Sequence, residues 1–99
     1  MLKITVHDEP ETITMQLEGR VIGPWVREFD QVWRSLADSL GSRRLCIDLR
    51  EVMQMDADGR AVLAEIHKKT GADFLADTPI TKYFAEEAQH DGKNRKEKI

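Results

Sequence analysis

The sequence predicts an α/β domain built as a mixed four-stranded sheet packed against helices, in the order β-β-α-β-α-β-α. Three observations carry this. Apolar residues near the N-terminus alternate with polar ones, as half-buried strands require; after Gly23-Pro24 they recur at helical spacing; and from Arg43 strand-like and helix-like segments alternate to Gln89. That alternation implies parallel strands joined by right-handed crossovers beside a starting hairpin.

Taken in order, Leu2, Ile4 and Val6 alternate, Asp8-Glu9-Pro10-Glu11 makes a turn, and Ile13, Met15 and Leu17 alternate again, so the first two elements read as an antiparallel hairpin. Pro24 opens the first helix at a position where its missing N–H costs nothing. Trp25, Phe29, Val32, Trp33, Leu36 and Leu40 then form one apolar stripe that ends at Gly41, with Trp25 and Trp33 as core anchors. Arg43 to Leu49 reads as a central parallel strand buried on both faces, and Arg50 to Met55 as a loop. A second helix starts at Asp56 to Asp58 and ends near Lys69 before Gly71, with Gly59, Val62, Leu63 and Ile66 inward. Ala72 to Ala76 reads as a short strand, and Pro79 to Gln89 as a last helix with Ile80, Tyr83, Phe84 and Ala88 inward.

With 99 residues, 40% of them hydrophobic, the chain holds one domain, predicted over residues 1–89, with residues 90–99 as a disordered charged tail. The net charge is -3, but the tail holds four basic and two acidic residues, which leaves a body at -5. An acidic body argues against nucleic acid, whose phosphates demand a basic stripe. No apolar run approaches the ~20 residues of a membrane span, and the start of the chain turns polar too soon for a secretory leader. The single cysteine, Cys46, fits a reducing compartment, so a cytoplasmic location is predicted.

Catalytic constellations are absent from the residue pattern. His7, His67 and His90 lie far apart, with no Cys/His pair at metal-ligand spacing, so no metal is expected. Cys46 sits inside an apolar strand; Ser35, Ser39 and Ser42 lack a nucleophile elbow; Gly19 to Gly23 lacks the glycine-rich run and the Lys-Ser/Thr ending of a phosphate loop. A non-enzymatic protein without a cofactor is the resulting expectation.

The informative stretch is Cys46 to Leu63. Asp48-Leu49, then Val52, then Asp56-Ala57-Asp58-Gly59 opening an apolar helix resembles the STAS family, the domain of sulfate transporters and anti-sigma factor antagonists. The order of elements over Leu2 to Gln89 is similar to that family's, which implies an STAS-like sheet. The resemblance also implies a regulatory protein-binding module whose partner is an anti-sigma factor, a kinase-like regulator or a transport complex. It implies partner contacts at Met55, Asp56, Ala57, Asp58, Gly59 and Arg60, extended along the second helix by Glu65, Lys68 and Lys69.

One departure matters: where antagonists of this family carry a phosphorylated serine or threonine, this chain has Ala57, which offers no hydroxyl. Asp58 is either a fixed charge standing in for that phosphate or an ordinary first-turn acid, and Asp56 has a plain reading as helix cap. Two other readings fit parts of the sequence. One is a small-ligand or nucleotide-binding STAS domain. The other is a receiver-like phosphoacceptor at Asp48, suggested by Lys3 to Pro10 and Thr81-Lys82 but opposed by the strand pattern at Thr12 to Leu17.

Overall fold

The computed structural model describes the backbone of residues 1–97 and the side chains of residues 1–90. The order is β1 (Leu2–Asp8), β2 (Thr12–Val21), α1 (Pro24–Asp38), β3 (Arg44–Met55), α2 (Ala57–Thr70), β4 (Asp73–Leu75) and α3 (Pro79–Glu97). The strands lie in the spatial order β1-β2-β3-β4; β1 runs antiparallel to β2, and the other neighbours are parallel. The β-β-α-β-α-β-α sequence of elements is the predicted one. α3 runs past the predicted end at Gln89 to Glu97; of the tail expected to be disordered over residues 90–99, residues 98 and 99 lie outside the described residues.

Both crossovers, β2-α1-β3 and β3-α2-β4, step in the same direction across the sheet. With a common right hand, they place α1 and α2 on one face. The core forms there: Ile13, Met15 and Leu17 from β2 and Leu45, Ile47 and Leu49 from β3 meet Phe29 and Trp33 of α1 and Leu63 and Ile66 of α2. Trp33 is buried as expected, whereas Trp25 is only partly buried at the core margin.

Three expectations are corrected. β3 is not fully buried on both faces: on the face opposite the helices Asp48 is buried, but Cys46 is only partly covered and Arg44 and Arg50 are exposed. Arg50 to Met55 is strand, not loop: β2 continues to Val21 and keeps β3 paired as far as Val21 with Met55. Two register shifts in that pairing break the period of two and bring Val52 and Met55, three residues apart, onto the buried side. The alternation that marks a strand is lost there. Finally, Ile80 and Tyr83 of α3 are exposed, and Thr81, Phe84 and Ala88 face inward. The helix start sets this rotation. Thr78 Oγ1 accepts from Thr81 N (3.1 Å), while Thr81 Oγ1 accepts from Thr78 N (3.0 Å) and Asp77 N (3.2 Å), which draws Thr81 into the interior.

Candidate functional site

The junction of β3 and α2 is organised by Asp56. Its backbone N–H donates to Val21 O (3.2 Å), which closes the end of the β2-β3 ladder. One carboxylate oxygen accepts from Gly59 N at 2.8 Å and so caps α2; the other accepts from Gly23 N at 2.9 Å, the residue that caps α1. One side chain thereby joins the starts of two helices. These backbone donors, Gly23 first and then Gly59, hold the Asp56 carboxyl below the usual aspartate range.

Gly59 is required by the same packing. A Cβ at this position would lie 2.8 Å from both Val21 O and Met55 Cγ, so α2 sits against the end of β2 only because residue 59 has no side chain. Met55 and Gly59 are both buried, and Asp56 is partly so. Of the six residues expected to touch a partner, Ala57 and Asp58 are the exposed ones.

Arg60 is engaged inside the molecule. Its guanidinium pairs with Glu87 of α3 (2.7 Å) and donates to Met55 O (3.2 Å), while Tyr83 donates its hydroxyl to the same Glu87 carboxylate (2.7 Å). Further along α2, Glu65 is bound by Arg34 of α1 and by Lys69, each at 3.0 Å. Lys68 is exposed and makes no ion pair among the described residues.

Asp58 does not stand where a group on residue 57 would. Successive helical residues point about 100° apart, and Asp58 lines the groove between α1 and α2 with Arg27, Asp30, Val62 and Glu65. Ala57 falls one step around the helix, on the line of Ala61 and Lys68.

Asp48 lies on the other face of the sheet. Although its residue is buried, both carboxylate oxygens are taken: Arg50 Nε and Nη2 donate at 3.0 and 2.9 Å, and Arg50 N at 3.0 Å. That clamp depresses the Asp48 carboxyl, with the Arg50 side chain as the main cause. Beside it, burial and then the carboxylates of Asp73 and Asp48 push the Cys46 thiol up, away from the reactive thiolate.

Sequence reasoning placed Asp56 as a helix cap but missed its bond to Gly23 and the Arg60-Glu87-Tyr83 chain. Gly23-Pro24 was a local signal for a helix start; nothing local links it to a residue 33 positions away.

A one-faced mixed sheet with a capped helix start at the end of its central strand defines an STAS-like domain. In comparisons with solved structures, an anti-sigma factor antagonist from Mycobacterium paratuberculosis matches with a TM-score of 0.80, over 94% of this chain and 82% of that one, at 20% identity. Two crystal structures of Mglu match with TM-scores of 0.60 and 0.55 at 20% and 17% identity. They share 76% and 75% of this chain but only 19% and 23% of their own length. No family model and no curated protein sequence matches the chain.

Proposed function

We propose that this chain is a non-catalytic regulatory module of the cytoplasm that binds a protein partner, in the manner of an anti-sigma factor antagonist, through the exposed start of α2. The observation that carries the reading is the contrast within the β3-α2 junction. Its backbone is fixed by Asp56 and by the close packing of Gly59, yet Ala57 and Asp58 face solvent. A rigid platform with outward residues that take no part in the fold is what a recognition surface needs, because little ordering entropy remains to be lost on binding. The likeness in fold to an anti-sigma factor antagonist supports the class of partner. With alanine at residue 57, control by phosphorylation at that position is excluded.

The test is affinity capture on the immobilised chain from its native host, then titration of each recovered protein against wild type, Ala57→Tyr and Asp58→Lys. Both substitutions change only exposed atoms, so loss of binding with unchanged thermal unfolding supports the site. A partner that binds both variants as tightly as wild type places the interface elsewhere.

A further inference from the structure

A second surface is built into the β1 edge of the sheet. β1 is an edge strand, seven residues long, paired to β2 without a register shift and free of proline. Its backbone polarity follows from two hydrogen bonds: Arg20 N donates to Met1 O (3.1 Å), and Glu9 N donates to Thr12 O (3.0 Å). Both belong to odd residues of the first strand and its turn, so in this antiparallel register the odd residues turn their N–H and C=O toward β2. The N–H and C=O groups of Leu2, Ile4, Val6 and Asp8 therefore point out of the sheet edge.

The same even-numbered residues direct their side chains to the helix-bearing face. Leu2 is buried and Ile4 packs at the core margin, but the cover ends there: Val6 is 38% exposed. Free backbone groups and an apolar row ending in the open thus coincide on one strand. Natural edges of this kind are commonly blocked by bulges, prolines or several lysines. β1 has none of the first two, a single lysine, Lys3, and one charge on the helix-bearing face, Asp8 at its end, which is already paired with Arg43; the other edge, β4, has only three residues.

We infer that the β1 edge is a homodimer interface in which two copies of this chain pair β1 with β1 antiparallel, forming one continuous eight-stranded sheet. The occupant is a second copy because the strand complements itself. With the two-fold axis at Thr5, Ile4 lies opposite the other copy's Val6 and Leu2 opposite its Asp8. All four outward-facing residues then exchange backbone hydrogen bonds. Ile4 and Val6 of each copy close over each other and continue the apolar face across the axis, while Lys3 lies diagonal to the other copy's Glu9. This inference is independent of the α2 surface, which starts at the end of β3, two strands away from β1 across the sheet.

Sedimentation equilibrium of the purified full chain across a range of concentrations is expected to show reversible monomer-dimer behaviour. Val6→Lys places a charge against Ile4 of the other copy and is expected to weaken the dimer by roughly tenfold or more. Val6→Pro removes only an outward-facing N–H and should do the same; because proline risks the fold, circular dichroism and thermal unfolding accompany both variants. Register is tested by oxidation in a Cys46→Ser background. Thr5→Cys meets its own copy at a Cα separation of about 4.5 Å and crosslinks readily. Lys3→Cys meets its copy about four residues away along the strands, roughly 13 Å, and does not. A chain that stays monomeric at millimolar concentration overturns the inference. So does a dimer indifferent to Val6→Lys, or crosslinking of Lys3→Cys as fast as that of Thr5→Cys.

Discussion

Replacing Asp56 with alanine removes two hydrogen bonds at once, one to each helix start. Loss of an N-cap costs about 1 kcal/mol. The second bond, to Gly23 N at 2.9 Å, adds a net contribution of about 1 kcal/mol, since both groups retain access to water. The sum, about 2 kcal/mol, corresponds to a fall in Tm of roughly 8 to 16 °C for a domain of this size. Asp56→Asn separates the two parts: asparagine caps nearly as well as aspartate, but its single acceptor oxygen cannot serve both Gly59 and Gly23, so about half the loss is expected. The depressed pKa supplies a further check. A carboxyl held low in the folded state contributes stability above its unfolded pKa of about 3.9 and loses it as pH falls through the folded value. The difference in stability between wild type and Asp56→Ala is therefore full at neutral pH and closes below pH ~4. Urea unfolding at a series of pH values measures it. A loss under ~0.5 kcal/mol for Asp56→Ala, or a difference that does not shrink in acid, refutes the assignment of Asp56 as the link between α1 and α2.

Three further outcomes follow from packing and charge. Gly59→Ala should destabilise by about 1 to 3 kcal/mol in equilibrium unfolding, because its Cβ meets the fixed Val21 carbonyl at 2.8 Å, although alanine gains up to ~1 kcal/mol in helix propensity. Phe29→Ala and Trp33→Ala should each cost roughly 3 to 5 kcal/mol, measured the same way, since both rings are buried against the sheet. Arg60→Glu should lower Tm by setting two carboxylates together beside Met55 O, and the exchange Arg60→Glu/Glu87→Arg should recover part of that loss; a double variant no more stable than Arg60→Glu would show that the pair contributes nothing to α2-α3 packing.

The elements that the sequence made legible are those whose signals are local. Period-two alternation marks β1 and the first half of β2, Pro24 and Gly41 bound the α1 stripe, and Asp56 and Gly71 bracket α2, where they act as N-cap and left-handed C-cap. What stayed hidden depends on partners distant in sequence. The second half of β3 lost its alternation to bulges that exist only because β2 runs alongside. The rotation of α3 was set by the reciprocal bonds of Thr78 and Thr81, against the pull of Ile80 and Tyr83 on an apolar pattern. At the candidate site, the Asp-Ala-Asp-Gly spacing pointed to the right junction but not to the division of labour within it. Arg60, which reads as an exposed charge, is held by Glu87, and four of the six residues assigned to a partner, Met55, Asp56, Gly59 and Arg60, are internal scaffold.

That division separates two residues that a linear motif runs together. Ala57 lies on the line of Ala61 and Lys68 on the outer side of α2, whereas Asp58 turns into the α1-α2 groove beside Arg27. If the partner reads the outer line of α2, charge at residue 57 matters and charge at residue 58 does not. Ala57→Asp puts a carboxylate on that outer line, at the positive end of α2 where it is electrostatically favoured, so the fold should be retained. Its effect on partner affinity should exceed tenfold, about 1.4 kcal/mol, since a buried charge without a counterpart is costly at an interface. Asp58→Asn removes the native charge from the groove and should change affinity by less than about threefold at low salt, where surface charge is least screened. Titration of the recovered partner against both variants decides the matter. A large loss with Asp58→Asn and none with Ala57→Asp would make the groove the contact, with Asp58 facing a basic group of the partner.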